Sequence, residues 1–288
     1  MSNFLQIPDL NLSHQGKVRD IFEVKNQKYL LIYTSDRISA FDFVFDDTIP
    51  GKGTLLNKLS LFWFEKTKEI IKNHIINFQT IKINNLSDED KDRCMLVKKT
   101  KVLPIEAIVR GYLAGSAWQS YKKTKIINNK KSDIIYKEFQ QFEKPIFTPS
   151  TKAEKGQRDQ NISFEKMKSL IGEQLSEKIR EVSIKLYNFA HSYAQKKGII
   201  IADTKFEFGL DENNNLTLID ELFTPDCSRF WLYDTKTKEI NYESFDKQFL
   251  RNYLISINWQ NKQIPLPSDI KDELIRRYKL AYDLLTNQ

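Results

Sequence analysis

Nine residues, Ile201-Ala-Asp-Thr-Lys-Phe-Glu-Phe-Gly209, restrict this chain more tightly than any other segment. Side chains two apart in an extended strand share a face, so Asp203, Lys205 and Glu207 project together while Ala202, Thr204, Phe206 and Phe208 face the other way. Residues 210–215 supply Asp and Asn for a turn, and 216–222 resume an apolar run, so the whole reads as a β-hairpin that returns Asp220 towards Glu207. Two hard carboxylates beside a lysine suit Mg²⁺ with phosphate oxygens, because that ion is held by one or two carboxylates plus phosphates and water. The competing reading is a surface ladder of salt bridges.

At 288 residues the chain can bury a substantial core as one large domain or two closely packed ones. Its formal charge of +7 raises the question of nucleic-acid binding. Only ten of the 45 basic residues are arginine, and the lysines are spread among many Asn and Ile residues. That distribution fits a solvated basic surface, or attraction of small anionic substrates, better than a nucleic-acid stripe. Cys94 and Cys227 are far apart, and His14, His74 and His191 stand at no metal-ligand spacing, which argues against a zinc site or a disulfide framework. Cys227 reads as structural rather than nucleophilic. No basic segment followed by an apolar stretch opens the sequence and no apolar run approaches a membrane span, so a reducing cytoplasm is the expected compartment.

Strands dominate the expected first hundred residues. Segments 17–24 and 29–34, joined through Lys25-Asn26-Gln27, read as a hairpin, with further strands over 41–45 and 95–102. Between them, Leu55, Leu56, Leu59, Phe62, Trp63, Ile70 and Ile71 place an amphipathic helix over 54–72. A strand over 106–113 opens the second half. Lysine-rich residues 122–144 read as an exposed excursion, and a long polar loop follows over 148–163. Helical spacing over 164–197, with Gly172 as a break and Gly198 as a stop, precedes the hairpin, and further helices are expected around 245–254 and 270–285. Strands come first and helices mix in later, without a repeating βαβ rhythm, so the fold class is α+β.

Gly51-Lys52-Gly53-Thr54 lacks the spacing of a Walker phosphate loop, and no dinucleotide fingerprint occurs. A bound nucleotide would need another cradle, such as a strand hairpin opening with Gly16-Lys17-Val18-Arg19-Asp20, although a glycine before a strand is ordinarily a turn. Ser35-Asp36-Arg37-Ile38-Ser39-Ala40-Phe41-Asp42 gathers short polar groups at the end of an apolar strand, where caps, turns and ligand contacts all occur. In Leu103-Pro-Ile-Glu-Ala-Ile-Val-Arg-Gly-Tyr-Leu-Ala-Gly-Ser116, Glu106 and Arg110 share a strand face, and Gly115-Ser116 can offer backbone amides and a hydroxyl to an anion. Arg110 in so apolar a run needs a partner, either Glu106 or a ligand phosphate or carboxylate.

The segments 103–116 and 201–209 closely resemble the two signature motifs of the SAICAR synthetase family of purine biosynthesis. Further matches occur in the same order at Gly16 to Asp20, Ser35 to Asp42, Ile49-Pro50-Gly51-Lys52-Gly53, Thr148-Pro149-Ser150-Thr151-Lys152-Ala153-Glu154, Thr224-Pro225-Asp226, Ser228-Arg229-Phe230-Trp231 and Asp246-Lys247-Gln248-Phe249. The resemblance is nearly end to end, and the polar 148–163 insertion is similar to the longer form known from yeast and some bacteria. Arg158, Gln160 and Cys227 depart from the family pattern, where His, Glu and Ser are common.

The resemblance implies an N-terminal antiparallel β-rich lobe over 1–103 that binds nucleotide, packed on a larger α+β lobe over 104–288 that binds substrate and metal, with a cleft between. It implies an ATP-dependent ligase joining the carboxylate of carboxyaminoimidazole ribonucleotide (CAIR) to the amine of L-aspartate through an acyl phosphate. Glu207 and Asp220 are expected as Mg²⁺ ligands. Gly16, Lys17, Arg19 and Glu106 are expected at ATP. Lys205, Asp203 and Arg110 are expected in catalysis, and Asp36, Arg110, Ser116 and Arg229 at CAIR. The 148–161 loop is expected to close over substrate and exclude water. No nucleic acid, membrane or obligate protein partner is expected. A kinase-like phosphotransferase is the nearest alternative, and a basic RNA-binding protein using 122–144 the more distant one; that segment lacks the interleaved aromatics of a stacking surface.

Overall fold

The computed structural model describes residues 9–24, 28–81, 83–127, 130–131, 133–152, 159–245 and 248–287. The Lys25-Asn26-Gln27 link, Ala153, Glu154, Arg158 and the Asp246-Lys247 pair lie outside the described residues.

Alternating apolar residues near the start form β1 (Leu10–Gln15), β2 (Arg19–Val24) and β3 (Tyr29–Thr34). A short hairpin, β4 (Arg37–Ala40) and β5 (Phe43–Thr48), leads into α1 (Lys52–Thr67), the short α2 (Asp88–Asp92) and β6 (Cys94–Lys98). The first sheet has the order β1-β2-β3-β6, antiparallel throughout, and buries Phe22, Leu31 and Leu96 on one side.

The second sheet is the larger and holds the 201–209 segment. Its strands come from β7 (Lys101–Val102), β8 (Ile105–Tyr112) and, after α3 (Gly115–Thr124) and the small pair β9 (Ile126–Ile127) and β10 (Lys130–Lys131), from β11 (Gln141–Phe147) and β12 (Ser150–Thr151). Two helices, α4 (Phe164–Ile171) and α5 (Glu173–Lys196), precede β13 (Ile199–Leu210), β14 (Leu216–Ile219), β15 (Ser228–Tyr233) and β16 (Ile240–Ser244). The chain then adds α6 (Gln248–Ser256) and α7 (Ser268–Thr286). The sheet runs β11-β8-β13-β15-β16, with β12 on β8 and both β7 and β14 on β13. Phe206 and Phe208 point from β13 into the main core with Ile179 and Leu186 of α5, so burial of one face leaves the charged face towards the cleft.

Several expected boundaries shift for identifiable reasons. The expected 41–45 strand starts two residues late, at Phe43, because Phe41 and Asp42, both with positive φ (51° and 66°), form the turn between β4 and β5 without the usual glycine or asparagine signal. The helix expected over 54–72 ends at Thr67, where the Asn73 side chain donates to the Phe64 carbonyl at 3.2 Å and the chain turns away from the helix axis. The 122–144 excursion holds the end of α3 and the start of β11 rather than loop alone. Gly172 does break the long helical stretch, at φ 87°. The C-terminal helices pack back on the first third of the chain: Leu250, Leu274 and Tyr278 share a core with Ile38, Phe45 and Leu56.

Candidate active site

Asp203 stands at the centre of a row drawn from three neighbouring strands. In register it lies opposite Arg110 of β8 and opposite Arg229 of β15. Its Oδ2 accepts from Arg110 Nη1 at 3.0 Å and from Arg229 Nη1 at 2.9 Å, and Arg110 Nε also donates to Thr148 Oγ1 at 3.1 Å. Two guanidinium groups thus converge on one carboxylate oxygen, a concentration of planar donors suited to phosphate or carboxylate. Burial and the repulsion of Arg229 lower the Arg110 pKa against the opposing pull of Asp203. The protein partner of Arg110 is therefore Asp203 and not Glu106, because antiparallel register places Asp203 across from it while Glu106 is engaged elsewhere.

Two residues along β13, Lys205 donates to Glu106 Oε1 at 2.7 Å and to Glu207 Oε1 at 2.9 Å. Glu106 also accepts from Ser150 Oγ at 3.1 Å, and the Lys152 ammonium pairs with the other Glu207 oxygen. Burial alone would lower the Lys205 pKa; Glu207, Glu106 and Asp220 outweigh it and hold the ammonium charged well above its usual range. A lysine held in that state acts as a fixed cation, not as a base. Burial would likewise raise Glu207, but Lys205 and Lys152 bring it down to about 2, so it stays ionised.

The turn after β14 places Asp220, at φ 66°, next to this group. Burial and the Glu207 charge push the Asp220 carboxyl up to about 6, partly opposed by Arg19. Sequence reasoning passed over the neighbouring Glu221, which is 6% exposed and takes both ends of the Arg19 guanidinium, with Nη1 at 2.7 Å from Oε1. Its signal was present in the sequence as a second carboxylate in an apolar run, Leu-Ile-Asp-Glu-Leu, a position that burial would not tolerate unpaired. Arg19 accordingly fastens the turn after β14 to β2, and burial, which would lower its pKa, is outweighed by Glu221, Asp220 and Asp226.

Other expected site residues sit around this centre. Gly115, at φ 56°, opens α3 against Arg229, where a Cβ would lie 2.4 Å from the guanidinium, and Ser116 follows it exposed to the cleft. Gly16 accepts from Arg37 at 3.1 Å, and exposed Lys17 pairs with Asp42 of the β4–β5 turn. Asp36 does not join the cluster: its Oδ1 accepts from the Gly53 amide at 2.8 Å and Oδ2 from Arg93 at 3.3 Å, so its carboxylate ties α1 to the first sheet. Cys227 is held among Thr224 and Ser228, and burial and Glu221 push its thiol up to about 12, which leaves it protonated. The Gln160 carbonyl accepts from the Thr151 amide at 2.9 Å, its own amide donates to Thr151 Oγ1 at 3.1 Å, and the residue is exposed.

Arg110, Asp203, Lys205, Ser116 and Arg229 open on one cleft of about 1490 Å³, whose walls also include Asp42 and Phe139. Glu207 and Asp220 lie at its cationic lysine. Among the described residues no three or more ligating side chains gather into a closed metal cage; Glu207 and Asp220, whose carboxyl the Glu207 charge raises, have the donor chemistry that suits a hard cation completed by phosphate and water. Among the described residues no helix is long and apolar enough to cross a membrane.

A cleft with convergent guanidinium groups at one end and paired carboxylates round a lysine at the other has the chemistry of an enzyme site for phosphorylated and carboxylated substrates. The family profile described as SAICAR synthetase matches residues 12–266. A phosphoribosylaminoimidazole-succinocarboxamide synthase from Schizosaccharomyces pombe is 46% identical over 279 residues, 95% of this chain and 93% of that one. The solved SAICAR synthase from Saccharomyces cerevisiae complexed with SAICAR aligns with a TM-score of 0.88 at 42% identity, covering 100% of this chain and 98% of that one. A SAICAR synthetase solved with ADP aligns at 0.72 and 28% identity, over 96% and 97% of the two chains. The chain belongs to the SAICAR synthetase family.

Proposed function

We propose that this protein joins the carboxylate of CAIR to the amino group of L-aspartate, converting ATP to ADP and phosphate. The observation that carries the reading is the Arg110–Asp203–Arg229 row set two residues along β13 from the Lys205 cluster, on one face and in one cleft. Relatives solved with SAICAR and with ADP support the two ligand classes. Residues 1–103 form the nucleotide side and 104–288 the substrate and metal side, and the enzyme works in the cytoplasm.

A carboxylate is a poor electrophile, so a CAIR carboxylate oxygen first attacks the γ-phosphorus of ATP, the bond to the β-phosphate oxygen breaks, and ADP leaves. The aspartate amine then adds to the acyl phosphate carbonyl, the tetrahedral oxyanion collapses with loss of phosphate, and the nitrogen gives up a proton to form the amide. Arg110 and Arg229, with Ser116, hold the CAIR phosphate or carboxylate; Lys205 offers a fixed positive charge to the transferring phosphoryl oxygens; Lys17 meets the ATP phosphates. Glu207 and Asp220 would hold Mg²⁺, which supplies charge neutralisation at the phosphates when bound. The 148–161 loop keeps water from the acyl phosphate.

Glu207→Gln removes a charge with little change of volume. Turnover should fall about 100-fold or more, while circular dichroism and the melting transition show a folded protein. Wild-type turnover in a folded Glu207→Gln variant would remove the metal assignment.

A further inference from the structure

The row that holds Asp203 lies beside an irregularity in the sheet. Pairing of β8 with β13 ends at Arg110 opposite Asp203, and on the other side of β13 the pairing with β15 shifts register between Ile201 and Asp203. Tyr187 of α5 enters the sheet at this point. Its hydroxyl donates to the Ile201 carbonyl at 2.6 Å, and the backbone amide of Gly111, the residue after Arg110, acts on the same phenol oxygen. A Cβ on Gly111 would stand 2.0 Å from that oxygen and 2.8 Å from the ring carbon bearing it, so the phenol occupies the room a side chain would need.

The phenol is 2% exposed. Burial, with Tyr112 and Asp203 nearby, raises its pKa well above the usual value, and the hydroxyl therefore keeps its proton to donate. In a strand, a slip of one residue turns every following side chain to the opposite face. Whatever fixes the irregularity at 201–203 therefore fixes the direction of Asp203, and with it the convergence of Arg110 and Arg229. A hydroxyl that satisfies Ile201 on β13 while leaning on Gly111 of β8 occupies the place of the missing ladder bond and pins both strands.

We propose that Tyr187 is a positioning residue for substrate recognition: bridging Gly111 and Ile201, its hydroxyl sets the spacing and direction of the Arg110–Asp203–Arg229 row. The inference rests on the reading of that row as the CAIR-binding surface. Tyr187 touches no substrate and acts only through its neighbours, in contrast to the arginines themselves. Its effect belongs to CAIR and not to ATP, because the bridge lies at the arginine end of the strand and the Lys205 cluster is held by its own ion pairs.

The experiment is steady-state kinetics of Tyr187→Phe, which removes only the oxygen, with KM measured separately for CAIR and MgATP and with thermal melting of the same samples. The KM for CAIR should rise about 10-fold, with the KM for ATP within about twofold. A general loss of packing would lower the melting temperature without this selectivity. A second comparison introduces Gly111→Ala into wild type and into Tyr187→Phe; the substitution should be less damaging in the latter, where the oxygen that it meets is gone. An active wild type with an unchanged KM for CAIR in Tyr187→Phe, or with equal penalties for Gly111→Ala in both backgrounds, overturns the inference alone. A wild-type protein that forms no SAICAR overturns the ligase reading, and this inference with it.

Discussion

Asp220 shows at the scale of one residue how a buried charge cluster is carried at a cost to stability. Burial and the Glu207 charge raise its carboxyl from 3.8 to about 6, with Glu221 adding to the effect and Arg19 and Lys205 opposing it. A carboxyl raised in the folded state binds its proton more tightly there than in the unfolded chain, so its stabilising contribution is complete below about pH 4 and is lost as pH rises through about 6. In metal-free buffer at pH 8, Asp220→Asn should therefore melt at a higher temperature than wild type, and the gap should close towards pH 4; a lower melting temperature at pH 8 would contradict this. Catalysis should be lost in the same variant, since the neutral amide cannot replace the charge that a divalent cation requires. The sequence made Asp203, Lys205, Glu207 and Asp220 legible because strand alternation and a hairpin turn are local. It concealed the partner of Arg110 and the role of Glu221, since both depend on which strand lies next to which.

Elements differ in how much their glycines matter, and the structure ranks two of them. Gly53 opens α1 with its Cα against β3, where a Cβ would be 2.2 Å from the Thr34 carbonyl oxygen, and no flexible side chain stands between them to yield. Gly172 joins α4 to α5 at φ 87° and ψ 153° with open space around it. Alanine at 172 should cost only the backbone strain of that conformation, about 1–3 kcal/mol, and leave kcat unchanged. Alanine at 53 should cost more, because α1 must move away from the first sheet. Melting curves of the two variants test the order, and a milder Gly53→Ala would show that the helix can shift freely. Helices were read well where glycine marked their limits, as at Gly172 and Gly198. The end of α1 was missed because Ile70 and Ile71 prolong the apolar pattern after a side-chain cap from Asn73 has already ended the helix. The β4–β5 turn was missed because Phe41 and Asp42 adopt positive φ without the residues that advertise it.

Across the whole molecule, the core that joins Ile38, Phe45 and Leu56 to Leu250, Leu274 and Tyr278 binds the end of the chain to its beginning. Fully buried Lys52 donates to Asp226 Oδ2 at 2.9 Å, and Tyr278 of α7 donates to Oδ1 at 2.9 Å, so α1, α7 and the loop leading to Arg229 meet at one carboxylate. Such a buried pair tolerates loss of one partner poorly, which makes it a device for fixing relative position. None of this was legible in the sequence, where Lys52 reads as part of an incomplete phosphate loop and α7 as an amphipathic helix of unknown docking. The α+β class was legible, because strand and helix periods occur in separate stretches; the order β11-β8-β13-β15-β16 was not, because it is set by pairings between distant segments. The most direct test of the account is the release of ADP by the purified protein with MgATP and CAIR, with and without L-aspartate, while the succinocarboxamide product is followed. Sustained ADP release that requires all three substrates and matches SAICAR one for one is the predicted result; ADP release without product, or product without ADP, would contradict it.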